Sequence, residues 1–101
     1  MRARLSPRAR REAVAAAQWI MRDNPSAARG FMAAVRQATL QISEFPRAGR
    51  PRPELLPDRF RFLTLTRYPY LLLYDAGLTP PVIIRVMHAA RDLPATLRSL
   101  Q

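Results

Sequence analysis

His88 is the chain's only histidine, and cysteine is absent. Acid–base chemistry near neutral pH therefore falls to one side chain. It stands in Val86-Met87-His88-Ala89-Ala90-Arg91-Asp92, where an apolar run ends. As a general base it needs a neighbour that orients it or tunes its pKa. Arg91 and Asp92 are near it in sequence. Arg61 and Arg85 each interrupt an apolar run, so each has to reach solvent, pair with a carboxylate or face a groove. Glu54, Asp58 and Asp75 are the expected carboxylate partners, and a binding role stands beside that pairing. For His88 the plain alternative is a hydrogen-bonded residue at a strand end.

A second group is Arg47, Arg50 and Arg52, spaced through Pro46-Arg47-Ala48-Gly49-Arg50-Pro51-Arg52-Pro53. The prolines hold this patch extended. It suits phosphates, or equally the acidic side chains of a protein. Trp19, Tyr68, Tyr70 and Tyr74 either stack on bases or pack in the core and its rim. The 7 carboxylates are scattered without metal-ligand spacing, and no glycine-rich phosphate loop or nucleophile elbow occurs. Neither a metal nor a cofactor is expected.

These residues have to be positioned by a small frame. A length of 101 residues predicts one domain over 1–101, and 49% hydrophobic residues predict a folded one. Net charge is +10, and all 17 basic residues are arginine. Either this is a solvated surface or the partner is anionic: nucleic acid or an acidic protein segment. The absence of cysteine fits a reducing cytoplasm. No run is long enough to span a membrane. Glu12 and Gln18 interrupt the alanine-rich N-terminal stretch, so a targeting peptide is not expected.

Arg2 to Leu5 alternates and predicts a short first strand. Ser6-Pro7 and Asn24-Pro25 are helix starts, a capping side chain followed by a residue with no amide to leave unpaired. They predict helices from Pro7 to about Arg22 and from Pro25 to about Glu44. Ala28, Phe31, Val35, Ala38, Ile42 and Phe45 form the second helix's buried stripe. The short connection makes the pair an antiparallel hairpin. Four prolines between Pro46 and Pro57 exclude a long helix or an interior strand there, and Glu54-Leu55-Leu56 suits one helical turn. Strands follow at Arg59–Thr66, Tyr70–Tyr74 and Val82–Met87, with the second central, and a short helix is expected from Asp92 to Leu100. The fold class is α+β: a helical hairpin on a small, mostly antiparallel sheet, in the order β-α-α-β-β-β.

In this order the local strings resemble the RelE/ParE superfamily of bacterial toxins. Those strings are Leu5-Ser6, Asn24-Pro25-Ser26-Ala27-Ala28, Phe45-Pro46-Arg47-Ala48-Gly49-Arg50-Pro51, Glu54-Leu55, Arg59-Phe60-Arg61, Tyr68-Pro69-Tyr70-Leu71-Leu72-Leu73-Tyr74 and the His88 segment. The resemblance implies a cytoplasmic toxin of a type II toxin–antitoxin pair. Its antitoxin would wrap it with an acidic, amphipathic C-terminal segment. RelE-like members cut mRNA in the ribosome, and ParE-like members poison DNA gyrase. The mRNA-cutting members carry an arginine after the first aromatic of the middle strand, where this chain has Leu71. They often add a tyrosine or another histidine near the C-terminus. After His88 this chain has only Arg91 and Arg98. The ParE-like branch, a gyrase-binding toxin without chemistry of its own, is therefore the first expectation. The alternatives are an mRNA endonuclease using His88, Arg61, Arg85 and Arg91, and an inactive member acting as a binding module. Arg47, Arg50, Arg52, Arg61, Arg85, His88 and Arg91 are the expected contacts to target or antitoxin.

Overall fold

The computed structural model describes residues 2–92. The terminal helix expected beyond Asp92 lies outside them. The elements are β1 (Arg4–Leu5), α1 (Pro7–Asp23), α2 (Pro25–Glu44), β2 (Arg50–Pro51), β3 (Phe60–Thr64), β4 (Tyr70–Asp75) and β5 (Val82–His88). They form one sheet in the order β1-β5-β4-β3-β2. β1 runs parallel to β5, and every other pairing is antiparallel.

Both helix starts are built as their sequences predict. Ser6 Oγ accepts from the Ala9 amide at 3.0 Å and donates to the Ile84 carbonyl at 3.1 Å, so one hydroxyl starts α1 and ties it to β5. Asn24 ends α1 through its own amide, bonded to the Ile20 carbonyl, and starts α2 by accepting from the Ala27 amide. Ala9, Ala13, Ala16 and Ala17 are the buried face of α1, small enough to bring the helix close to the sheet. Phe31 is fully buried on α2, where its ring meets Tyr68 and Tyr70 edge to face. β4 is buried along its whole length, as its continuous apolarity predicts.

Phe45 departs from the expected stripe. It is the C-cap of α2, with φ −132° and ψ 80°, and its side chain is 62% exposed. Pro46 excludes the helical region for the residue before it, so the helical phase stops one residue early. Gly30, inside α2, also has a reason. A Cβ there would collide with the Tyr68 hydroxyl, which reaches over it to the Ala27 carbonyl at 3.1 Å.

The sheet face away from the hairpin carries its own cluster of Leu56, Phe62, Leu71, Leu73 and Met87. Leu55 and Leu56 belong to a turn closed by their amides on the Arg52 carbonyl, the single turn expected there. The proline-rich segment also supplies β2, which the sequence pattern does not announce. It pairs only Arg50 with Phe62 and Pro51 with Arg61, at the sheet edge where proline is tolerated.

Candidate functional site

The C-terminal end of β5 gathers His88, Arg91 and Asp92 into a closed network. The His88 amide donates to Asp92 Oδ2 at 3.0 Å, and His88 Nδ1 accepts from the Arg91 amide at 3.1 Å. Arg91 grips Asp92 with two bonds, Nε to Oδ1 at 2.8 Å and Nη2 to Oδ2 at 3.1 Å. That grip holds the Asp92 carboxyl below its usual range and raises Arg91 above its own. The imidazole also meets the Tyr70 ring edge to face at 5.2 Å. One ring nitrogen of His88 therefore serves the turn, in the manner of a cap.

Arg85 does not pair with Glu54, Asp58 or Asp75. Its partner is Glu12 of α1, met by Nη2 at 2.8 Å and by Nε at 2.9 and 3.1 Å. The same carboxylate accepts from the Val86 amide at 3.0 Å. β1 stops beside Ile83, so beyond it the edge of β5 away from β4 has no strand neighbour, and Glu12 takes that place. Nothing in the helical pattern singles out Glu12 beyond its i,i+4 contact with Arg8, because its two hydrogen-bond partners lie more than seventy residues away.

Arg61 lies on the opposite side of β4 from β5 and has no carboxylate partner among the described residues. Its Nη1 donates to the carbonyls of Gly49 at 3.0 Å and Arg47 at 3.4 Å. Across from it, the buried Tyr74 hydroxyl donates to the Pro46 carbonyl at 2.6 Å and accepts from the Gly49 amide at 2.8 Å. Burial pushes the Tyr74 phenol up despite the Gly49 amide and the nearby Arg61. Gly49 packs so closely on Tyr74 and the Phe62 carbonyl that a Cβ has no room. The Phe45–Pro51 string is thus a clasp around one phenol and one guanidinium. It presents Arg47 and Arg50 to solvent, while Arg52 pairs with Glu54 at 2.9 Å.

The structure thus brings His88, Arg91 and Asp92 together, puts Arg85 under Glu12, and keeps Arg61 apart. Arg61 faces Tyr74 and His88 faces Tyr70, four residues along β4, about 13 Å at about 3.3 Å per residue. Of the aromatics, Tyr70 and Tyr74 are core, while Trp19 is 58% exposed with Arg22 over its ring. Among the described residues no three histidine or carboxylate side chains gather as metal ligands. No described helix is long and apolar enough to cross a membrane.

A concavity of about 680 Å³ lies apart from these places. It runs between α2 and the β3–β4 connection, lined by apolar Ala33, Ala34, Ala38, Phe45 and Leu65 together with Gln37, Gln41, Glu44 and Arg67. β2 pairs with β3 only at Arg61 and Phe62, so the outer edge of β3 beyond Phe62 is open beside this groove.

A solved structure described as the chromosomal ParDE TA system from P. aeruginosa superposes with a TM-score of 0.73, at 19% identity, covering 87% of this chain and 95% of that one. No curated protein matches the sequence significantly. The profile of the family described as ParE toxin of type II toxin-antitoxin system, parDE, matches residues 3–93, and the chain belongs to that family.

Proposed function

We propose that this ParE-family toxin acts by binding DNA gyrase, without chemistry of its own, and that a cognate antitoxin neutralises it. The observation that carries the target reading is the dispersal of the four residues a nuclease would need. His88 gives Nδ1 to a turn amide, Arg91 and Arg85 are neutralised by Asp92 and Glu12, and Arg61 is on the far side of β4. Such a set offers neither a cluster of free cations for a pentacoordinate phosphate nor an acid for the leaving oxygen. The antitoxin reading is supported by the groove beside α2 and by the +10 charge. The groove receives the apolar face of an amphipathic segment, and the arginines attract its acidic face.

The test is induction in bacteria lacking the antitoxin, scored together for DNA breaks and mRNA integrity. Gyrase-dependent breaks with intact mRNA, retained in His88→Ala, are expected. Rapid mRNA cleavage that His88→Ala abolishes would instead establish the endonuclease reading. For the antitoxin, Ala34→Glu in the groove should abolish co-purification while leaving the melting temperature of the free toxin within a few degrees.

A further inference from the structure

A concavity of about 230 Å³ lies between α1 and the end of β5, away from the groove beside α2. Glu12, Ala15, Ala16 and Trp19 form its α1 wall, and Val86 and Asp92 help to complete it. The four wall residues share one face of the helix. The two alanines keep that wall low, so another segment can come close. Trp19 is 58% exposed, although Arg22 lies over its ring at 5.1 Å. The charged groups around the groove are already paired: Glu12 meets Arg85 at 2.8 Å, and Arg91 meets Asp92 at 2.8 Å. An anionic partner, drawn to free arginines, finds none among these pairs. The groove suits an apolar segment that carries little charge.

We infer that this groove is the docking site of residues 93–101 of the same chain. Asp92 is both part of the groove's lining and the residue from which that segment departs. The segment reads Leu93-Pro94-Ala95-Thr96-Leu97-Arg98-Ser99-Leu100-Gln101, with Arg98 its one charged side chain. Leu93, Leu97 and Leu100 recur at steps of four and three, the spacing of one helical face, and Arg98 and Ser99 fall off that face. Leu93 to Leu100 is the same number of residues as Glu12 to Trp19, about 10.5 Å at about 1.5 Å per helical residue, so the leucine stripe matches the wall in length. A segment tethered at the rim meets the groove at high effective concentration, an advantage that no separate molecule of similar chemistry has. The leucines cover Ala15 and Trp19, and a partner that needs this face of α1 has to displace them. This contact depends neither on the gyrase reading nor on the groove beside α2.

The test uses the full chain, whose single tryptophan makes Trp19 its own reporter. Leu97→Asp and Leu100→Asp each put a charge on the leucine stripe, and each should raise acrylamide quenching of Trp19 and shift its emission to longer wavelength. Ser99→Asp puts the same charge off the stripe and should change neither. From the other side, Ala15→Glu fills the groove and should speed trypsin cleavage after Arg98, read by intact mass. Val14→Glu, beside it but outside the groove, should leave that cleavage unchanged. Val14 and Ala15 are both exposed, and melting curves check that each variant folds. The inference is overturned if Leu97→Asp leaves Trp19 as it is in the wild type, or if Ala15→Glu leaves the cleavage unchanged. It is equally overturned if Ser99→Asp acts like Leu97→Asp, or Val14→Glu like Ala15→Glu, which is a charge effect without docking. Wild-type quenching that falls as protein concentration rises, and that Leu97→Asp does not alter, would assign the groove to a second copy of the chain instead.

Discussion

Removing one oxygen atom, in Tyr74→Phe, should unfasten the clasp that carries Arg47 and Arg50. Among the described residues the hydroxyl alone joins the Pro46 carbonyl and the Gly49 amide, at 2.6 and 2.8 Å. The Pro46 carbonyl is partly exposed and regains water, so its bond costs about 1 kcal/mol. The Gly49 amide is buried against the tyrosine ring, and an unpaired buried amide costs about 1–3 kcal/mol. The sum is about 2–4 kcal/mol. A chain this size has an unfolding entropy near 0.2 kcal/mol/K at the melting temperature, so the loss is about 10–20 °C. Thermal unfolding followed by circular dichroism measures it. Tyr68→Phe is the internal control. Its hydroxyl bonds a helix carbonyl and is only half-buried, so its removal should cost no more than about 1.5 kcal/mol. If Tyr74→Phe costs no more than the control, the clasp is not held by this hydroxyl and the account of the Phe45–Pro51 string is wrong. High pH gives an independent check. A phenol pKa raised by folding contributes stability that is complete below its ordinary value of 10.0 and lost as pH rises through the folded value. Wild-type stability should therefore fall more steeply than that of Tyr74→Phe in alkaline buffer.

Glu12→Ala leaves Arg85, with its side chain only 14% exposed, and the Val86 amide without their shared partner, and should cost about 3 kcal/mol by denaturant titration. Glu12→Gln keeps an acceptor for the amide and should recover part of that loss; equal losses would refute the double role. Gly30→Ala should destabilise the wild type through its collision with the Tyr68 hydroxyl, yet stabilise Tyr68→Phe by about 0.5–1 kcal/mol through helix propensity. A same-signed effect in both backgrounds would show that the hydroxyl is not what keeps position 30 a glycine. Asp92 is held low by Arg91, so its stabilising contribution is complete above the ordinary value of 3.8 and lost as pH falls through the lower folded value. The Asp92 carboxyl resonance, which reports its own ionisation, should keep its ionised position down to pH about 3.8 and shift only below it.

What was legible in the sequence is what is local. Ser6-Pro7 and Asn24-Pro25 declare their helices because the capping side chain and the amide it satisfies are three residues apart. Tyr70–Tyr74 declares a central strand because both faces of β4 need apolar cover. Long-range satisfaction was not legible. Glu12 reads as an ordinary helical carboxylate, and only the fold brings it to a strand edge that needs an acceptor. β2 has two residues and no alternation; it exists because Tyr74 and Arg61 pull the loop onto the edge of β3. Phe45 fits the apolar period of α2 by spacing alone, and the steric demand of Pro46 overrides that period. Arg61 and Arg85 are held by partners that no spacing reveals, whereas Arg91 is held by its sequence neighbour Asp92.

The charge balance of the folded chain makes a further demand. Glu12, Glu54, Asp75 and Asp92 pair with Arg85, Arg52, Arg59 and Arg91. Among the described residues, Arg11, Arg29, Arg36, Arg50 and Arg67 form no such pair, so the surface repels itself. The radius of gyration is 13.0 Å. At about 10 mM salt the screening length is about 30 Å, and the arginines act on one another across the whole molecule; at about 100 mM it is about 10 Å, and only neighbours do. The melting temperature of the isolated chain should therefore rise between these two conditions. An acidic partner that covers the surface supplies the missing charge itself, so the complex should melt higher than the free chain, and the advantage should shrink as salt is added. A free chain whose melting temperature is flat or falls with salt would mean that its arginines are already balanced within the fold, and charge would then no longer argue for an anionic partner.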